Sequence, residues 1–132
     1  MTQEKEQQEI MFKLNMFEQQ IQYFQQQLQA IEQGIVEMNS LNLGLDELVG
    51  SEGKEILASV GKRIFIKTKI ISEELTVDIG EGTLVKKTIP ETKEIIIQQI
   101  KKLEEVKKEL EENLEKINKE LTETIIEAQK NN

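Results

Sequence analysis

Two apolar stripes in heptad spacing, one toward each end of the chain, constrain the fold more than any other feature. Ile10, Leu14, Phe17, Ile21, Phe24, Leu28, Ile31, Ile35 and Met38 follow one another at alternating steps of 4 and 3. From Ile96 the same rhythm runs through Ile100, Leu103, Lys107, Leu110, Leu114, Ile117, Leu121, Thr124 and Ala128, with Lys107 and Thr124 as polar interruptions. Steps in that order keep one line of side chains facing a partner helix, which is what a coiled-coil seam requires. The chain thus carries both halves of its own coiled coil.

A hydrophobic fraction of 37% is low for a compact globule of 132 residues, and the deficit fits long helices with little interior. With no Cys and no His, disulfides, thiolate chemistry and the commonest general base and metal ligand are all missing. The 25 acidic residues fall in no obvious cleft, so no catalytic carboxylate pair, no metal site, no cofactor and no enzyme is predicted. A net charge of -8 with a single Arg opposes nucleic-acid binding. No run of about 18 apolar residues offers a membrane span, and the polar start MTQEKEQQ lacks the basic and apolar blocks of a secretory signal. A soluble, cytoplasmic protein is expected.

The predicted fold class is α+β, a single domain over 1–132. Helix 1 is assigned to 4–39, ending where Asn39, Ser40 and Asn42 replace the periodic residues, and a linker with Gly44, Gly50 and Gly53 to 40–53. Residues 54–88 read as two β-hairpins. In the first, Ile56, Ala58 and Val60 alternate with other residues, Gly61 marks a turn, and Ile64, Ile66, Thr68 and Ile70 share a face. In the second, Leu75, Val77 and Ile79 alternate, Gly80-Glu81-Gly82 turns the chain, and Leu84 and Val85 follow. The Gly pair there lacks the spacing of a phosphate-binding loop. Isolated hairpins are marginal in water, so this segment needs partner strands from another subunit. Helix 2, over 89–129, opens with the capping box Thr88 to Glu91 and Pro90 in its first turn.

The hairpins return the chain so that the helices pack antiparallel. One register satisfying both stripes sets Ile35 against Ile96, Ile31 against Ile100, Leu28 against Leu103, Ile21 against Leu110, Phe17 against Leu114, Leu14 against Ile117 and Ile10 against Leu121. It places Lys107 opposite Phe24, with its stem over the ring. A register displaced by one heptad stays open.

Apolar residues that the seam does not need gather at the free end of the helices. With Ile10 at d, Met11 falls at e, Phe12 at f, Met16 at c and Tyr23 at c one heptad on; Ile125 and Ile126 fall at e and f of helix 2. Surface hydrophobes covered by a larger bundle are one reading. An adaptable binding surface is the other, for which Met is well suited.

The middle segments Gly61-Lys62-Arg63-Ile64-Phe65-Ile66-Lys67-Thr68-Lys69 and Leu75-Thr76-Val77-Asp78-Ile79-Gly80-Glu81-Gly82-Thr83-Leu84-Val85-Lys86-Lys87 resemble the V-K-A-K and V-D-I-G-x-G-x-x-V-x-K segments of the prefoldin family, alpha type. Thr68 stands where Ala is frequent. The resemblance covers essentially the whole chain. It implies a hexamer of two alpha and four beta subunits whose hairpins form barrels, with coiled coils that hold unfolded polypeptides at their tips without ATP and pass them to a group II chaperonin. By position, the client-contacting residues would be Ile10, Met11, Phe12, Leu14, Met16, Phe17, Leu121, Ile125 and Ile126. Ile64, Phe65, Ile66, Ile70, Val77, Ile79, Leu84 and Val85 would support assembly. The rival expectation is a structural coiled-coil scaffold that binds one folded partner.

Overall fold

The computed structural model describes residues 2–130. Helix α1 (Thr2–Glu47) is followed by strands β1 (Glu55–Gly61), β2 (Ile64–Lys69), β3 (Leu75–Asp78) and β4 (Leu84–Lys87), then by helix α2 (Ile89–Lys130). These elements form two compact units, one of Met1–Ile35 with Lys102–Asn132 and one of Val36–Lys101.

In the first unit, each stripe residue of both helices is at least half-buried while nearly every residue between them is exposed. Ile117 is the most enclosed of them. The stripes do not meet in the register given above. Lys107 Nζ lies 3.8 Å from Glu32 Oε1, and a Cβ placed on Gly34 would lie 3.6 Å from Leu103 Cδ1. A groove beside Gln20 and Phe24 takes its second wall from Asn113, Ile117 and Glu120. At the far end, Ile10 and Lys13 face Thr124 and Glu127 across a small cleft. Together these neighbours displace the pairing by one heptad. Phe17 then faces Leu121, Ile21 faces Ile117, Phe24 faces Leu114 and Leu28 faces Leu110. Ile10 therefore faces Ala128 instead of Leu121, and Leu14 faces Thr124 instead of Ile117.

Lys107 is corrected with the register. Its ammonium does not sit over Phe24; it lies between Glu32 and Glu111, at 3.8 and 4.0 Å. The Lys107 side chain is 36% exposed and both carboxylates more than half exposed, so each pair contributes about 0–1 kcal/mol.

In the second unit the end of helix 1 departs from the expected boundary. Helix α1 does not stop at residue 39 but continues to Glu47. Asn39, Ser40 and Asn42 have weak helix propensity, yet Leu45 falls at the next d position and is buried with Ile89 and Ile96. Met38, Leu48, Leu75 and Ile100 pack around that cluster. Burial of Leu45 outweighs the local preference of the three polar residues. Helix α1 therefore runs eight residues past the expected end, and only the short turn of residues 48–54 separates it from β1. Ser51, buried in that turn, donates its hydroxyl to the Leu48 carbonyl.

At the start of α2 the capping box is complete. The Glu91 N–H donates to Thr88 Oγ1 at 3.2 Å, and the Thr88 N–H and hydroxyl donate to Glu91 Oε1 at 3.2 and 2.9 Å. Both Thr88 bonds favour the charged carboxylate, with a smaller contribution from Lys87, and hold the Glu91 carboxyl below its ordinary range. Lys93 pairs with Asp46, tying the last turn of α1 to the first turns of α2.

Strands β1 and β2 form one antiparallel hairpin and β3 and β4 another. In the first, Ala58 pairs with Ile66 and Leu57 with Lys67, and a bulge lies between Ser59 and Gly61. The turn places Lys62 and Arg63 at φ 45° and 65°. Two bonds beyond the strand ends, Gly53 N to the Ile70 carbonyl at 2.7 Å and Ile70 N to the Lys54 carbonyl at 2.9 Å, extend the ladder. In the second hairpin, Val77 pairs with Val85. Gly80 and Gly82 adopt φ of 138° and 79°, values that glycine reaches without the steric cost of a side chain. Ile79 lies one residue past β3, its N–H donating to the Thr83 carbonyl at 3.0 Å.

Candidate functional site

Exposure separates the first unit's nine candidate residues into two groups. Ile10, Leu14, Phe17 and Leu121 are half-buried members of the seam. Met11 (64% exposed), Phe12 (66%), Met16 (44%), Ile125 (41%) and Ile126 (47%) point away from it. The seam residues hold the pair of helices together; the exposed five are what a ligand would meet.

Heptad geometry explains how the exposed residues relate. In an antiparallel pair the e positions of both helices flank the same side of the seam. With Ile10 facing Ala128, Met11 and Ile125 fall on that one flank. Phe12 and Met16, one turn apart, border an open groove of about 650 Å³ together with Phe17, Lys5, Lys13 and Gln20. Met16 and Gln20 also border the neighbouring groove of about 580 Å³, which continues to Tyr23, Phe24 and Ile117. Tyr23, outward-facing in the heptad reading but absent from the candidate residues, thus belongs to the same surface. Its ring meets Phe24 edge-on, with centroids 5.6 Å apart and planes at 65°.

The second unit carries a different apolar surface. Ile64, Phe65, Ile66, Ile79 and Leu84 are exposed, whereas Ile70, Val77 and Val85 are half-buried. Leu75, Val77 and Val85 share one face of the second hairpin, and Leu75 packs against the unit's core. The first hairpin is apolar on both faces: Ile56, Ala58 and Ile66 on one, Leu57 and Phe65 on the other beside the Glu55–Lys67 ion pair at 3.1 Å. Leu57 and Val60, 68% and 63% exposed, were missed as candidates. The alternation of residues 56–60 was the signal that could have found them.

Among the described residues no cluster of acidic side chains is arranged to hold a metal ion, and no helix is long and apolar enough to cross a membrane. What the two surfaces offer is apolar contact at one and unpaired strand edges at the other.

The profile of the family described as Prefoldin subunit matches residues 17–132. The chain belongs to the prefoldin family. Prefoldins are non-enzymatic chaperones, and the chain is a chaperone-type subunit. It is 34% identical to prefoldin subunit alpha of Methanobrevibacter smithii over 98 residues, covering 74% of this chain and 67% of that one. Prefoldin subunit alpha of Methanosphaera stadtmanae is 24% identical over 83 residues, 63% of this chain and 60% of that relative's length. The fold is that of a solved structure, the cryo-EM structure of filamentous PFD from Methanocaldococcus jannaschii, with a TM-score of 0.78 at 20% identity, covering 87% of this chain and 97% of that one. Two long helices and two small antiparallel hairpins are the prefoldin fold, as the middle segments implied.

Proposed function

We propose that this chain is the alpha-type subunit of a cytoplasmic hexamer of two alpha and four beta subunits that holds unfolded polypeptides without ATP and passes them to a group II chaperonin. The whole chain, 1–132, serves as one prefoldin-type domain. The observation that carries this reading is the gathering of exposed Met11, Phe12, Met16, Ile125 and Ile126 near the start of α1 and the end of α2. Large apolar side chains stand there in water with no packing role in the seam. Ile10, Leu14, Phe17 and Leu121 complete the client surface from beneath.

The physical logic is avidity. Burying one such side chain contributes about 1.5–3 kcal/mol, and the freedom lost on association costs about 4–15 kcal/mol, so the few side chains of a single tip leave little net affinity. Several tips acting on one polypeptide multiply the effect, while each contact stays weak enough to let go. Assembly through Ile64, Phe65, Ile66, Ile70, Val77, Ile79, Leu84 and Val85 supplies that multiplicity, because exposed strand edges and apolar faces are satisfied by strands of other subunits in a shared barrel.

The test replaces Met11, Phe12 and Met16 by Ser in the chain assembled with a prefoldin beta subunit. Native mass should be unchanged and suppression of aggregation of unrelated denatured proteins should weaken. Unchanged suppression would sink this reading in favour of a scaffold for one folded partner.

A further inference from the structure

We propose that Met11 and Met16 form an oxidation-sensitive modification site, at which hydroperoxides convert the thioethers to sulfoxides and lower the tip's grip on apolar polypeptide. The inference rests on the client-binding reading above.

The sequence holds four Met and no Cys, so its side-chain sulfur is all thioether. Three Met lie among the described residues, and they divide sharply. Met11 and Met16 are 64% and 44% exposed, whereas Met38 is half-buried and packed against the core of the second unit. Met16 borders both grooves of the first unit, and Met11 lies on the flank it shares with Ile125. Two of the five exposed apolar side chains at the tip are therefore oxidisable. Phe12, Ile125 and Ile126 are inert to the same reagent.

The step balances with the peroxide as sole oxidant. A sulfur lone pair attacks one oxygen of hydrogen peroxide, an S–O bond forms as the O–O bond breaks, and the departing hydroxide takes the proton of the new sulfur-bound hydroxyl and leaves as water; from an organic hydroperoxide the leaving group departs as the alcohol. The thioether is oxidised by two electrons and the peroxide is reduced by two. The product is polar and chiral where the residue was apolar and pliable, a change that disrupts Met-rich contacts and is reversed by methionine sulfoxide reductases. A sulfoxide forfeits most of the transfer free energy a buried Met supplies, so each one should weaken client capture about tenfold.

The experiment treats the chain, assembled with a prefoldin beta subunit, with hydrogen peroxide. Peptide mass spectrometry maps the sulfoxides, and suppression of client aggregation is measured before and after. A second assembly carries Met11→Leu and Met16→Leu, and each assembly is compared with its own untreated state. The expected result is oxidation of Met11 and Met16 well ahead of Met38, with a treated-to-untreated loss in the wild type that the double variant does not show. Equal oxidation of Met38, or equal losses in both assemblies, would overturn the proposal while leaving client binding intact. Failure of the untreated wild-type assembly to suppress aggregation would overturn the functional reading, and the switch with it.

Discussion

Glu32 and Lys107 meet across the two helices at 3.8 Å, and their pairing distinguishes registers that the heptad pattern treats as equal. In the alternative pairing Lys107 would lie beside Phe24 with Gln25, not a carboxylate, at the flanking e position. Beside its own-helix partner Glu111, the lone core cation thus finds an anion on the facing helix in one register only. Its contribution of about 0–1 kcal/mol is small, so the pair reports the register more than it stabilises it.

The register is open to direct measurement because the chain has no native Cys. Phe17→Cys with Leu121→Cys should form a disulfide under mild oxidation, since facing seam positions approach within disulfide reach. Phe17→Cys with Leu114→Cys, a heptad apart, should not. Non-reducing electrophoresis separates the cross-linked from the open form.

Asn42 occupies an a position of the extended seam, and its Oδ1 is buried without a hydrogen-bond partner. An unsatisfied buried acceptor costs about 1–3 kcal/mol. Asn42→Leu should therefore raise stability by about 1–2 kcal/mol, seen as a higher midpoint in urea unfolding with unchanged slope. Polar residues at single a positions commonly trade stability for a defined register. The same variant should accordingly cross-link less selectively in the Cys assay.

Most of the architecture was legible because burial in a two-helix seam has a period that sequence displays directly. Every residue from Ile10 to Met38 and from Ile96 to Ala128 in the two stripes is at least partly enclosed. The Thr88–Glu91 box and the Gly80–Gly82 turn were equally readable, since each depends on residues close in sequence. Helix α1's true end was not. Asn39, Ser40 and Asn42 are a local stop signal, and only the tertiary contact of Leu45 with Ile89 and Ile96 overrides it. The register was not legible either, because the heptad pattern satisfies both pairings and only contacts such as Lys107 with Glu32 separate them. Tyr23, Leu57 and Val60 were under-weighted for a different reason: exposure of an apolar residue depends on what the rest of the fold leaves uncovered.

The cap at α2 has a pH dependence of known sign. Glu91's folded pKa lies below its unfolded value, because Thr88 donates two hydrogen bonds to the carboxylate. The stabilisation is complete above the ordinary carboxylate range and is lost as pH falls through the depressed folded value. Glu91→Gln retains a capping-box residue without the charge. The wild-type advantage in unfolding midpoint over this variant should be steady near neutrality and shrink as the pH is lowered into the acid range. An advantage independent of pH would show that the charge of Glu91 is not involved.

Contact between unfolded polypeptide and the exposed apolar residues near the start of α1 and the end of α2 is measured by site-specific photo-cross-linking. A benzophenone amino acid is placed singly at Phe12, Met16 or Val36 in the chain assembled with a prefoldin beta subunit. Val36 serves as a comparison because it is exposed and apolar but lies in the second unit. Irradiation with a denatured client should yield adducts at positions 12 and 16 well above those at position 36, and none of comparable yield with the same client in its native state. Equal yields at all three positions, or adducts confined to position 36, would show that clients do not bind at Phe12 and Met16.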